Sequence, residues 1–278
     1  MKWTKRAAAL LAALLLLLTA AQAGELYKSP SKEPRAISGS RLAPPQENGG
    51  AEKLPELTVV APEPAGVQAP LPSQGDPAFP EAEDWQLLLV NPWNEIPEDY
   101  TVTLKSLPDG QKVDERAYED LMAMLQACRD AGLRPKICSA YRTQAKQTYL
   151  YNNKIARLRN AGYSRAAAEA EAGRWVARPG TSEHQLGLAL DIVSQSYQAL
   201  TRRQEQTKEQ KWLMEHCWEY GFILRYPNDK SEITGIGYEP WHYRYVGAEV
   251  ALDVRESGLC FEEYLLLREE TLAANPEA

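Results

Sequence analysis

One stretch, Thr181 to Ile192 (T-S-E-H-Q-L-G-L-A-L-D-I), constrains this chain more than any other. It sets an imidazole, His184, seven residues before a carboxylate, Asp191. Between them Leu186, Leu188, Leu190 and Ile192 share one parity, and Gly187, Ala189 and Asp191 share the other. A period of two predicts a β-strand with a greasy face against a core and a face of small side chains ending in a carboxylate. Small side chains leave room for something bound over the strand. His184 has the wrong parity for that face, so its convergence with Asp191 requires a kink or bulge, which Gly187 permits. An imidazole nitrogen and a carboxylate oxygen aimed at one point would make two-thirds of a catalytic zinc shell. The plainer reading makes His184 a surface-loop histidine and Asp191 a strand-end or turn carboxylate.

A second stretch, Glu239-Pro240-Trp241-His242, sets a carboxylate three residues before another histidine, inside an aromatic run from Tyr238 to Tyr245. Pro240 and the β-prone Trp, Tyr and Val residues predict strand or extended chain rather than helix. Strict alternation then puts Glu239 and His242 on opposite faces, so spacing alone does not bring them together. His242 is a candidate third ligand, and Glu239 a candidate acceptor of a proton from water at a fourth position. The competing reading is a core or edge histidine among aromatics. The chain has three histidines, and two of them sit in these stretches.

The two stretches, some fifty residues apart, resemble the zinc D-alanyl-D-alanine carboxypeptidases of the VanY-like type, whose pattern is S-x-H-x-x-G-x-A-x-D followed by E-x-x-H. The family's upstream S-x-Y-R segment is matched by Ser139-Ala140-Tyr141-Arg142, and the three motifs occur in the family's order between about Trp85 and Leu267. The resemblance implies that His184, Asp191 and His242 ligate one zinc ion and that Glu239 is the general base. It implies that Arg142 contacts substrate near the scissile carbonyl or the terminal carboxylate, with Ser139 and Ser182 in the same substrate-binding set. Apart from the motif, Arg142 reads as a surface salt-bridge residue, and Ser182 either bonds substrate or holds its loop. The implied fold is α+β: a small central antiparallel sheet carrying the zinc site, flanked by helices, in a single catalytic domain. The implied substrate is the peptide stem of peptidoglycan, with terminal D-alanine released. Two neighbouring activities stay open, an L,D-carboxypeptidase acting on tetrapeptide stems and a D,D-dipeptidase acting on a free dipeptide. A non-catalytic wall-binding module is the reading from another class; against it stands Glu239, a base that a pure binder does not need.

The rest of the chain divides by composition. Residues 1–23 open with Lys2, Lys5 and Arg6, continue through an apolar run and end Ala21-Gln22-Ala23, the pattern of a secretory signal peptide, with an uncleaved membrane anchor as the alternative. Residues 24–80 hold eleven of the nineteen prolines among Ser, Gly, Gln and Glu, so they bury too little apolar surface to offset chain entropy and read as a tether or removable pro-segment. Residues 81–268 are long enough for one core, and 269–278 read as a flexible tail. The expected location is extracytoplasmic, secreted or tethered at the cell envelope, and the expected state is a monomer. Without the three leading cations the formal charge of −7 becomes −10, which argues against a nucleic-acid partner.

Within the domain, Trp85 to Pro92 reads as a short buried strand stopped by proline, and Asp114 to Ala131 as a helix stopped by Gly132. A strand over Pro135 to Ala140 leads into a helix through about Arg159, and Ser164 caps a shorter one. Thr207 to Tyr220 reads as a helix ended by Gly221, followed by a strand at Phe222 to Tyr226. Helices at Ala248 to Glu256 and Phe261 to Arg268 close the domain. His216, the third histidine, lies among apolar neighbours on a helix and reads as a packing residue. Gly235 and Gly237 suggest a backbone left bare for close approach of substrate. Four cysteines in an exported chain suggest disulfides, with Cys128 to Cys138 and Cys217 to Cys260 the preferred pairing.

Overall fold

The computed structural model describes residues 84–274; the expectations for an export segment, a proline-rich tether and the last four residues fall outside them. The chain enters through a single turn of 3-10 helix, Trp85–Leu87, and runs on as extended backbone. The strand expected here does not form. The carbonyls of Gln86 and Leu88 are instead taken by the Arg244 guanidinium, each at 2.9 Å, so they are not available to a neighbouring strand. A hairpin follows that the sequence reading did not anticipate: β1, Leu104–Ser106, pairs antiparallel with β2, Lys112–Asp114. Its turn runs through Pro108, Asp109 and Gly110, the last at a φ of 84° that favours glycine.

Helix α1, Tyr118–Asp130, buries Leu121, Met124, Leu125 and Cys128 at i, i+3, i+4 and i+7, the stripe that a core-facing helix needs. Strand β3, Pro135–Ser139, leads through Arg142 to α2, Gln144–Asn160, whose cap is Thr143. Ser164 caps α3, Arg165–Gly173, through its hydroxyl, which accepts the Ala167 N–H. Strand β4, Ala189–Ser194, precedes α4, Lys208–His216, capped by Thr207. Then come β5, Phe222–Leu224, the one-turn α5, Ser231–Thr234, and β6, His242–Tyr245. Helices α6, Ala248–Ser257, and α7, Phe261–Ala274, complete the chain; α7 runs past the point where fraying was expected. No described helix is long and apolar enough to cross a membrane.

Strands β3, β4, β6 and β5 form, in that order, an all-antiparallel sheet, so the expected α+β architecture holds. Pairing of Leu190 with Tyr243 and of Asp191 with His242 gives the sheet two unlike faces. Leu190, Ile192, Tyr243 and Tyr245 join α1 in the main core, where each fully buried aliphatic side chain contributes about 1.5–3 kcal/mol. Asp191, His242 and Arg244 have the opposite parity. Every residue of β4 is buried, because both of its faces are covered.

The cysteines depart from expectation: all four are free. Cys128 lies on the core face of α1, whereas Cys138 alternates with buried Ile137 and is exposed. Cys217 sits in the main core, and Cys260 precedes α7, its N–H donating to Glu263.

Four buried charges tie distant segments together. Arg225, just after β5, donates from Nε to Glu183 at 2.7 Å and in a fork to both oxygens of Glu262 on α7, at 2.8 and 2.6 Å. Arg244 reaches the same Glu183 oxygen at 2.9 Å. Neither guanidinium is exposed to solvent. Taking away one partner of such a set leaves a buried charge under-compensated, which is far costlier than losing a surface pair. Glu262→Ala is therefore expected to destabilise the fold by about 3–5 kcal/mol, read as a lowered urea midpoint.

Candidate metal centre

The expected kink between His184 and Asp191 is a single 3-10 turn, Glu183–Leu186, closed by Gly187 at φ 77°. A Cβ at Gly187 would stand 2.9 Å from the Asp114 backbone nitrogen, which donates to the Gly187 carbonyl, so both the conformation and the space require glycine. The turn ends before β4 begins at Ala189, which frees His184 from the strand's alternation. The problem of Glu239 and His242 is solved in the same way: the His242 N–H donates to the Glu239 carbonyl at 3.1 Å, so a turn, not a strand, connects them.

These turns bring His184, Asp191 and His242 together, each buried, with one ligand-type atom apiece lying within 4.8 Å of the others. His184 Nε2 and His242 Nδ1 each stand 3.3 Å from Asp191 Oδ1. That is longer than the ~2.7–2.9 Å of a charge-assisted hydrogen bond. It matches the edge of a tetrahedron whose corners lie about 2.0–2.1 Å from its centre, the nitrogen and oxygen distances of zinc. Two imidazoles and a carboxylate therefore fit zinc in donor type, and the two carboxylate-to-imidazole spacings fit it in size. The Glu239 carboxylate lies at the margin, 3.6 Å from His242 Nδ1.

Each of the three has its other polar atom held from behind. His184 Nδ1 is 2.8 Å from the Ala140 carbonyl, an acceptor that makes Nδ1 the protonated nitrogen and leaves Nε2 its lone pair. Asp191 Oδ2 accepts from an Arg142 Nη, which leaves Oδ1 facing the imidazoles. His242 Nε2 faces Glu183 Oε2 at 3.3 Å, and Glu183 is in turn gripped by Arg225 and Arg244. Burial works against the charge on Glu183, but the two guanidinia outweigh it and hold the carboxyl far below the usual range. Burial, reinforced by Arg142, lowers His184 to about 4. Burial also opposes a charged His242, yet Asp191 and Glu183 carry it up to about 9. Burial pushes Glu239 up to about 8, with the charge of Asp191 adding to it and His242 opposing. A cation among the three donors would draw Glu239 back down.

The remaining expected residues fall into place unequally. Arg142 lines the cleft above the centre but is largely engaged: beyond Asp191, its Nε donates to Ser139 Oγ at 2.7 Å. Ser139 is not among the cleft-lining residues, whereas Ser182 is buried and lines it. His216 does not line the cleft; its ring packs at a tilt against Trp212 and pairs with Glu219. The bare backbone expected at Gly237 accommodates the protein's own Trp175, whose ring would lie 2.8 Å from a Cβ there. Glu183, Arg225, Arg244 and Glu262 were not foreseen. Arg244 alone carried a visible signal, a lone cation within an aromatic β-prone run and of the same parity as His242.

This fold and donor set are those of a mononuclear metal-dependent hydrolase. The VanY family model, described as D-alanyl-D-alanine carboxypeptidase, matches residues 110–248. A D-alanyl-D-alanine carboxypeptidase of Enterococcus faecalis (strain ATCC 700802 / V583) is 45% identical over 185 residues, covering 66% of this chain and 67% of that protein. The solved structure of VanYB in complex with D-alanine-D-alanine is 46% identical with a TM-score of 0.61, covering 65% of this chain and 97% of that one. A mutant of the vancomycin resistance D,D-pentapeptidase VanY in complex with Zn(II) is 46% identical with a TM-score of 0.60, covering 65% and 99%. The chain belongs to the VanY D-alanyl-D-alanine carboxypeptidase family.

Replacing the carboxylate behind His242 tests the arrangement. Glu183→Gln is expected to weaken zinc binding by about 10–100-fold, measured by competition with a chromophoric chelator on protein whose fold is verified by circular dichroism.

Proposed function

We propose that this protein is a zinc-dependent carboxypeptidase that hydrolyses the terminal D-alanyl-D-alanine bond of peptidoglycan stem peptides. The observation that carries the reading is the convergence of His184, Asp191 and His242, with Asp191 Oδ1 3.3 Å from each imidazole and the Glu239 carboxylate beside them. His184 Nε2, Asp191 Oδ1 and His242 Nδ1 would hold one zinc ion, which when bound supplies Lewis-acid polarisation of a carbonyl and a water nucleophile active near neutral pH.

The chain's own residues supply the rest. Glu239 moves the proton: its carboxylate takes it from the water that attacks the scissile carbonyl and delivers it to the leaving amine of D-alanine. Its burial keeps the competing bulk solvent away and suits a group that must both gain and lose a proton in one turnover. Arg142 holds Asp191 in place, and its remaining N–H groups suit the terminal carboxylate of the substrate. Ser139 acts through Arg142, as the acceptor for its Nε. Ser182 suits a hydrogen bond to the substrate backbone. Action on wall stems requires export, for which the charged then apolar residues 1–23 are the support, and the proline-rich stretch after them suits a tether.

Glu239→Gln is expected to lower kcat by about 10²–10⁴-fold while zinc content, read by elemental analysis, stays at one ion per chain. Chelator treatment is expected to abolish hydrolysis and added zinc to restore it. With pentapeptide and tetrapeptide stems offered side by side, chromatography of the products is expected to show D-alanine released from the pentapeptide. Release from the tetrapeptide alone would replace this reading with an L,D-carboxypeptidase.

A further inference from the structure

The cleft over the centre, about 800 Å³, does not end there. It shares Leu150 and Arg157 with a second, open cavity of about 400 Å³ along α2, lined also by Asn153, Ala156 and Asn160. Leu150, Asn153, Lys154, Arg157 and Asn160 stand at i, i+3, i+4, i+7 and i+10, one face of the helix. Gln147 is the one fully buried residue of α2, so this face is not used up in core packing.

The charges along this path are one-sided. Lys154 and Arg157 on α2 line the cleft together with Arg174 and Arg202, while the carboxylates that line it, Asp191 and Glu239, both sit at the centre. No carboxylate among the described residues is within ion-pair distance of Lys154 or Arg157, and the Lys154 ammonium stands 5.8 Å over the Trp175 ring. Arg174 and Arg202 make pairs only at the surface, with Glu232 at 3.8 Å and Glu205 at 3.4 Å. Two cations without an ion-pair partner, beside two paired only at the surface, are unexpected in a chain with a formal charge of −7. A carboxypeptidase's substrate terminates at the centre, so whatever lies along a groove leading away from it belongs to the acyl side of the scissile bond.

We propose that Lys154 and Arg157 bind a carboxylate carried on the acyl side of the substrate, so that the enzyme selects peptides whose upstream portion is anionic over the same peptides with that group amidated. The selection rests on the carboxypeptidase reading above and names its substrate class further. The cations are solvent-exposed or half-buried, so the preference is modest, resides mainly in KM and is screened by salt.

The test uses the zinc-loaded full chain and synthetic peptides ending in D-alanyl-D-alanine. A single side-chain carboxylate is placed second, third or fourth from the scissile bond, and each peptide is paired with its carboxamide. At low ionic strength the acid is expected to exceed the amide in kcat/KM by about three- to tenfold at one or more positions, a ratio that falls toward one near 1 M salt. In Lys154→Gln/Arg157→Gln the ratio is expected to fall to about one. Arg159→Gln, whose guanidinium instead donates to the Tyr163 carbonyl, is expected to keep the parent's ratio. A ratio near one at every position in the parent overturns the inference, and so does a ratio that survives the double substitution. Cleavage of neither member of any pair overturns the carboxypeptidase reading itself, and this inference with it.

Discussion

The carboxylate of Glu183, fully buried and held by two buried guanidinia, is the interaction on which the rest of the structure depends. Three charges out of water are a poor way to gain stability, since apolar side chains of similar volume would serve as well or better. What the set supplies is position. The second Glu183 oxygen faces His242 Nε2, which leaves Nδ1 as the nitrogen turned toward Asp191. An apolar residue in place of Glu183 would leave that imidazole without a reason to prefer one ring orientation. The arginines carry the constraint outward, Arg244 to the carbonyls of the entering segment and Arg225 to Glu262 on the closing helix. Both ends of the described chain are thereby fastened behind one histidine.

The site divides its electrostatics by depth. At the floor, Asp191 and Glu239 flank two imidazoles, a set of donors suited to a cation. Above it the cleft walls carry guanidinium and ammonium groups with few partners, suited to anions. Burial keeps the inner field strong, because a low-dielectric surrounding screens it little, whereas the outer field is softened by water and salt. Arg142 stands at the boundary and belongs to both, since one end of its guanidinium holds Asp191 and the residue lines the cleft.

Local rules carried the reading of the sequence some distance. Ser164 caps the helix it precedes, as read, and Gly132 and Gly221 follow helix ends with positive φ. The parity of Leu190, Asp191 and Ile192 sorted the two faces of β4 correctly. The same reasoning failed at Trp85 to Val90, where an apolar run with strand character gives its carbonyls to an arginine more than 150 residues away. It failed also for the cysteines, because spacing along a chain does not say that Cys138 points away from the layer holding Cys128.

By itself, the sequence marked out His184, Asp191, Glu239 and His242 as candidates, through the scarcity of histidine and the resemblance of their motifs to those of a known family. It also determined that backbone freedom was needed at Gly187. Only the tertiary structure decided that these groups converge, and which residues stand behind them. The reason is physical: alternation and helical period govern directions within one element. The 3.3 Å between Asp191 and each imidazole is set instead by a 3-10 turn, a turn of chain at Glu239 and the pairing of β4 with β6. None of these is a property of any short stretch taken alone.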